Sequence, residues 1–492
     1  MTTLHSLKRS AVAGCLLLLA GCAAGPDYRR PELPTMDYLP APIDAAMRDE
    51  REIVDADVPA QWWALFHSPA LDDVVRGALA RSPTVAAAQA ALRQASELRR
   101  AQQAGFFPTV DASYAASHQK IARPLASPLA SNADVFNLST AQLNVSYTPD
   151  LFGLNRRQVE SLQAQEQSQR WNVEATYLTL SSNLVVAMIA EASLHAQFEA
   201  MARQVALQSD VLARFRQLQR LGENSELDVS QQEAQLAALQ ASLPGLYKQL
   251  AQQRDLVKAL AGLPPAATGV AELRLEDLTL PDPLPLTLPS TLVEHRPDVL
   301  AAEAQLKSAS ADIGVAVANR LPQVTLGVDN WGSSVASLSG LFGPGTAFWT
   351  LAGSATQTLV DGGALKHREA AARAAYDQAG ATYRATVINA FQNVADALQA
   401  VQADAEAERA ARRAFDISAH TLEISRRQLD LGDVSALSVI QAEQVHQQAL
   451  VATIQAKAQR LTDAAAMLQA LGGGWWNRSS DNADAPARAS AD

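Results

Sequence analysis

Two stretches of this chain are far longer than the three or four helical turns usual in a globular domain. Leu154 to Leu221 runs 68 residues without glycine or proline, and Ala364 to Leu431 runs 68 with only Gly380. As continuous helices each reaches roughly 100 Å. Apolar residues recur at three- and four-residue steps through Leu180, Leu184, Ala187, Leu194, Phe198 and Met201, with Glu191 and Gln208 as polar exceptions. Val387, Phe391, Val394, Leu398, Val401 and Ala405 keep the same rhythm. A mean step near 3.5 indicates supercoiled helix packing. Gly222 and Gly432 read as turns, after which Asp228–Leu260 and Ser435–Leu471 return as second helices, the first bent at Pro244-Gly245.

The likeness of the two stretches is part of a wider duplication. Arg81-Ser82-Pro83-Thr84-Val85 matches His295-Arg296-Pro297-Asp298-Val299 at an offset of 214, and Phe107-Pro108-Thr109-Val110 matches Leu321-Pro322-Gln323-Val324. Leu221-Gly222-Glu223-Asn224-Ser225-Glu226-Leu227 falls on Leu431-Gly432-Asp433-Val434-Ser435-Ala436-Leu437 at an offset of 210, and Gln231 and Glu233 fall on Gln441 and Glu443. A unit of about 200 residues is a folded half rather than a solenoid repeat.

Each half begins with an amphipathic helical stretch, Leu71 to Gly105 or Ser290 to Asn319, stopped at a Phe-Pro or Leu-Pro step. Two segments of period-2 alternation follow, marked by Val110, Ala112, Tyr114 and Ala116 with Ala141, Leu143, Val145 and Tyr147 in the first half. Val324, Leu326 and Val328 with Trp349, Leu351, Gly353 and Ala355 mark the second. Pro/Ser/Gly-rich loops, Gln119–Val135 and Gly332–Thr346, join them. Each half therefore reads as a hairpin of membrane-strand length, at 109–147 and 323–359. The alternative is a soluble edge hairpin. Four membrane strands cannot close a barrel, and open sheet edges are not tolerated in lipid, so other copies must complete the wall.

The expected organisation is a signal peptide at 1–21, an acylated segment at 22–65, a first repeat at 66–275 and a second at 276–476. The long helices fall at 154–221, 223–261, 364–431 and 434–471, and a polar disordered tail occupies 477–492. Lys8 and Arg9 precede the apolar run Ala11 to Ala20, which is too short to span a bilayer as a helix and has the form of an export signal. It ends in Leu19-Ala20-Gly21-Cys22, which resembles the bacterial lipobox; the resemblance implies diacylglycerol and an N-acyl chain on Cys22. The alternative is an ordinary signal with an incidental cysteine. Ala23 in place of Asp after that cysteine implies the outer membrane. No later apolar run of about 20 residues suggests an internal transmembrane helix.

A net charge of −11 without a basic cluster argues against nucleic acid as a partner. Cys15 and Cys22 are the only cysteines, so the body of the chain has no disulfide framework or thiolate metal site. The eight histidines show no metal-ligand spacing, and no glycine-rich phosphate loop with lysine occurs, so neither an enzyme nor a cofactor other than the covalent lipid is expected. Trp62, Trp63 and Phe66 read as packing around the helices, and Trp475 and Trp476 as a packed helix end.

Cys22-Ala23-Ala24-Gly25-Pro26-Asp27-Tyr28-Arg29-Arg30-Pro31 resembles the start of mature lipoproteins in the TolC-like outer membrane efflux family, NodT/OprM-type branch. Tyr147-Thr148-Pro149-Asp150-Leu151-Phe152-Gly153 with Arg156-Arg157 is similar to its strand-to-helix junction. Leu292 to Val299 with Ala302-Glu303 resembles the start of its second half, and Ala470-Leu471-Gly472-Gly473-Gly474-Trp475 its C-terminal end. The resemblance implies an α+β membrane protein: a homotrimer with a 12-stranded transmembrane β-barrel, four strands per chain, continuous with a long periplasmic α-helical barrel. It implies an exit duct docked to a periplasmic adaptor and, through it, an inner-membrane pump. A structural coiled-coil lipoprotein without a pore is the alternative.

The same resemblance places adaptor contacts at Leu221, Gly222, Ser225, Leu227, Leu431, Gly432, Ser435 and Leu437. Plain turn and capping chemistry is the other reading of those residues. It also places a closing ring of carboxylates at the tips. Asp228 matches one acidic position, but the second-half positions hold Ser438 and Gln441, a departure for which Asp433, Asp430 or Glu443 are nearby substitutes. An ordinary helix-start acid is the other reading of Asp228.

Overall fold

The computed structural model describes residues 23–31, 53–54, 58–122, 133–269, 271–280, 285–286 and 295–478. The signal segment, Cys22 and 479–492 lie outside the described residues.

The first amphipathic stretch forms two helices rather than the single one expected. α1 (Pro69–Arg81) is capped by Ser68, whose hydroxyl accepts the Leu71 N–H. Ser82 is extended, and α2 (Pro83–Gln103) starts at the next proline. Pro83 lacks the N–H that would continue the helix and favours extended backbone before it. β1 (Thr109–Lys120) and β2 (Val135–Tyr147) then form the first hairpin. α3 (Leu154–Arg220) and α4 (Glu226–Leu260) form the first long helical hairpin, and Pro244 lies inside α4 without ending it. The second half repeats the order with α5 (Pro297–Ala318), β3 (Gln323–Val335), β4 (Ala347–Thr356), α6 (Ala364–Leu431) and α7 (Ala436–Ala470). β3 runs four residues, Gly332 to Val335, into the stretch expected as loop. α5 opens at Pro297, the counterpart of Pro83.

The two halves are not two separate bodies. By internal contacts the chain divides into one unit of residues 1–32, 91–169 and 301–383, and another of 33–90, 170–300 and 384–492. Each takes segments from both repeats, and the boundaries fall inside α2, α3, α5 and α6.

In the first unit the strands make one antiparallel sheet in the order β1-β2-β3-β4. Its register lines up one face across all four strands. Val110 pairs with Val145, Val145 with Val328 and Val328 with Leu351; in the next row Ala112 pairs with Leu143 and Leu143 with Trp331. Between Val328 and Trp331, β3 holds one residue more than either neighbour. That bulge keeps both side chains on the same face, where a regular strand would put them on opposite faces. Tyr114, Trp331, Trp349 and Leu351 on this face are all exposed. The other face is mostly small or polar, with Ser113 opposite Gln142 and Ala115 opposite Thr140, and Phe136, Leu138 and Phe348 are its large apolar members.

The second unit holds the apolar core. Trp62 and Phe66, in a short 3-10 turn before α1, are buried with Leu71 and Val75 of α1 against Leu184, Met188 and Ile189 of α3 and Leu461 and Leu468 of α7. α3 does contain an 18-residue window of mean hydropathy 1.4, apolar enough to cross a membrane, but half of that window is buried. The chain after the last helix is ordered further than expected. Asn477 donates its side-chain amide to the Val58 carbonyl at 2.8 Å, and Arg478 pairs with Glu174 at 3.1 Å. The disordered tail expected from 477 therefore does not include these two residues.

Candidate functional site

The ends of the two long hairpins are built by the same backbone device. At the end of α3 the Gly222 N–H reaches the Gln219 carbonyl at 3.0 Å and the Glu223 N–H the Leu218 carbonyl at 2.9 Å. At the end of α6 the Gly432 and Asp433 N–H groups reach Leu429 and Gln428 at 3.0 and 2.8 Å. This pair of bonds satisfies the last helical carbonyls and demands left-handed backbone at the glycine, found at φ +82° and +81°. Nothing lies within 4 Å of a side chain placed at either glycine, so the conformation, not crowding, requires it.

Ser225 and Ser435 cap the returning helices, as their residue type suggests. Asp228 closes a reciprocal capping box: its N–H donates to the Ser225 hydroxyl at 3.2 Å, and its carboxylate accepts the Ser225 N–H at 3.0 Å and hydroxyl at 2.7 Å. Those bonds, the hydroxyl's first, hold the Asp228 carboxyl below its ordinary pKa. At the matching position Ser438 offers only a hydroxyl, 3.2 Å from that of Ser435. Around the turns Leu221, Leu227, Leu431 and Leu437 stand 66, 66, 76 and 52% exposed. Asp430 and Asp433 are exposed, whereas Glu443 accepts Arg426 at 2.7 Å and is thereby neutralised.

That ion pair has a twin. Arg216 meets Glu233 at 2.6 Å in the first hairpin, and both members of Arg426–Glu443 lie 210 residues further on. The duplication in sequence marks the glutamates, and the arginines at the same offset are the signal for the pair.

Behind the turns the hairpins differ. In the first, Gln208 donates to Gln232 at 2.8 Å with both side chains buried, and Glu191 accepts Arg254 at 3.1 Å. Burial raises the Glu191 pKa, and Arg254 opposes it. In the second, the counterparts of Gln208 and Gln232 are Ser418 and Ala442, and a groove of about 540 Å³ opens between α6 and α7. Ser438 and Gln441 line it together with Ile417, Thr421 and Val445.

Comparison with known proteins agrees with this architecture. The family model described as outer membrane efflux protein matches residues 74–263 and 288–473. The pyoverdine export outer membrane protein OpmQ of Pseudomonas aeruginosa is 29% identical over 492 residues, 96% of this chain and 98% of that one. The toluene efflux pump outer membrane protein TtgC of Pseudomonas putida is 26% identical, covering 95% and 96%. Among solved structures, the outer-membrane channel OprN superposes with a TM-score of 0.81 at 27% identity, over 92% of this chain and all of that one. The CmeC channel of Campylobacter jejuni reaches 0.83 at 20%, a likeness of fold.

Proposed function

Because the chain belongs to the outer membrane efflux protein family, we propose that it is the exit duct of a tripartite efflux system. It sits in the cell outer membrane and passes small molecules such as drugs or toxic compounds to the exterior. Three copies of the four-stranded sheet close a 12-stranded barrel, and the long helices form the periplasmic barrel below it. A periplasmic adaptor links the duct to an inner-membrane pump. The observation that carries this reading is the sheet itself, with one aligned apolar face and two edges, β1 and β4, that are unpaired among the described residues. In lipid such edges are satisfied only by other strands.

In this reading the chain is a conduit and catalyses no reaction. Asp228, Asp433, Ser438 and Gln441 form the periplasmic gate, and Leu221, Gly222, Ser225, Leu227, Leu431, Gly432, Ser435 and Leu437 meet the adaptor. The support for the contact is that four leucines at the turns face water, as apolar side chains at a partner-binding surface do. Cys22 carries the lipid, which anchors the mature N-terminus, since each buried acyl methylene contributes about 0.8 kcal/mol.

Purified trimers in planar bilayers are expected to conduct in single-channel recordings, more so with Asp228→Ala. Silence from both proteins overturns the duct.

A further inference from the structure

The segment that follows Cys22 is held by the first unit far more tightly than a tether requires. The Ala24 N–H donates to the Phe152 carbonyl at 3.0 Å. Gly153 has φ +79°, and a side chain there would meet the Ala23 Cα at 2.9 Å. Gly25, at φ +93°, crosses Gly314 of α5 so closely that a Cβ on Gly25 would lie 2.4 Å from the Gly314 Cα. A Cβ on Gly314 would in turn lie 2.8 Å from the Ala24 carbonyl oxygen and from the Arg157 Cδ.

Arg157 completes the site. Its side chain is only 5% exposed, and it donates to the Ala24 carbonyl at 3.0 Å, the Gly25 carbonyl at 3.5 Å, Asp27 at 2.8 Å and Glu160 at 2.7 Å. Three of the four acceptors belong to the segment. Its departure would leave the guanidinium with Glu160 and water, so the segment's place in the fold is written into the surroundings of Arg157. The far end is pinned at Glu303, which accepts Tyr28 and Arg30, each at 3.3 Å. Five extended residues from Gly25 to Arg30 span about 16 Å, and the eleven helical residues from Glu303 to Gly314 rise about 16 Å. The segment therefore has the length to run along α5 between its contacts at Gly314 and Glu303.

We propose that Arg157 and Gly314 form a socket for the acylated N-terminus, fixing the lipid anchor beside the β2-to-α3 junction in register with the sheet. The anchor is thereby a positioned part of the barrel wall rather than a leash. This rests on the reading of Cys22 as the lipidated residue.

The test uses full-length trimers extracted in detergent and limited trypsin digestion. Of the two arginine bonds in the segment, Arg29–Arg30 is cleavable, and Arg30–Pro31 is resistant because trypsin does not cut before proline. In the wild type the docked segment is expected to resist cleavage. Arg157→Gln is expected to speed release of the peptide 22–29 at least about tenfold, given that a hydrogen bond to a charged group contributes roughly 1.5–3 kcal/mol. Arg157→Lys, which keeps the charge and loses the fork, falls between. Gly25→Val attacks the contact from the segment's side and leaves every helix residue unchanged, so it keeps the test valid where an Arg157 variant fails to assemble. Wild-type cleavage rates in assembled Arg157→Gln or in Gly25→Val overturn the socket. The mass of the released peptide separates the premise: a peptide without acyl chains refutes lipidation at Cys22, while the cleavage rates still judge the socket.

Discussion

The two helical hairpins descend from one sequence, end in the same glycine turn, and close with the same Arg–Glu pair, yet only one of them is filled. In α3/α4 the polar exceptions on the apolar seam are long enough to meet across the helices: Gln208 reaches Gln232, and Glu191 reaches Arg254. In α6/α7 a serine and an alanine stand where those glutamines would, and the groove beside Ser438 and Gln441 remains. The glycine turn and the serine cap are backbone devices with few good substitutes, and both hairpins keep them. The interior of each hairpin was free to diverge.

The largest predicted difference lies there. Gln208→Ala leaves Gln232 buried without its donor and is expected to destabilise the first hairpin by about 1–3 kcal/mol. Ser418→Ala beside the open groove, where His446 at 3.1 Å can turn to water, is expected to cost under about 1 kcal/mol. Hydrogen exchange on peptides from each hairpin measures both. Equal losses would mean that the groove is as tightly packed as its counterpart.

The turns, by contrast, are expected to respond alike. Alanine at Gly222 or at Gly432 must adopt left-handed backbone, at a cost of about 1–2 kcal/mol. Thermal unfolding of the two variants is expected to shift by the same amount, and a marked asymmetry would show that the tips are held by something other than local geometry. Ser225→Ala and Ser435→Ala come next, at about 1 kcal/mol each. The first is expected to cost more, because it also breaks the box with Asp228. Parallel melts resolve the order.

The smallest effect has opposite signs in the two hairpins. The lowered pKa of Asp228 means that its contribution to stability is present above the ordinary carboxylate range and is lost as pH falls through the folded-state value. Asp404 of α6 behaves in reverse: burial first, then its hydrogen bond to Asp463 of α7, raises its pKa to about 6. One Asp404 carboxylate oxygen is buried without a partner among the described residues, and the expected remedy is a proton shared with Asp463. The proton-bound pair therefore holds α6 to α7 fully below about pH 4, and its contribution fades as pH rises through about 6. Arg460 nearby opposes the shift, but it is itself bonded to Glu408 at 2.9 Å. Exchange rates in α6/α7 are expected to rise between pH 5 and 7 more in the wild type than in Asp404→Asn, and identical profiles would refute the shared proton.

Sequence by itself determined every feature written in local chemistry: four helices too long for a globule, four alternating strands, the glycine and serine at each turn, and the duplication that makes them pairs. Helical and strand periodicities and capping preferences act within a few residues, so they survive without knowledge of the fold. Even so, reading locally joins α1 and α2 across Pro83 and counts Asn477 and Arg478 with the tail, although both are held by hydrogen bonds. Tertiary structure alone decided which distant groups meet. The bulge that keeps Val328 and Trp331 on one face depends on two neighbouring strands. The Arg157 socket joins residues some 130 positions apart, and the Asp404–Asp463 pair joins two helices. Closing a long loop costs only slightly more than closing a short one, so sequence separation gives no hint of such partners. They appear only when packed elements bring the charges together and remove the water between them.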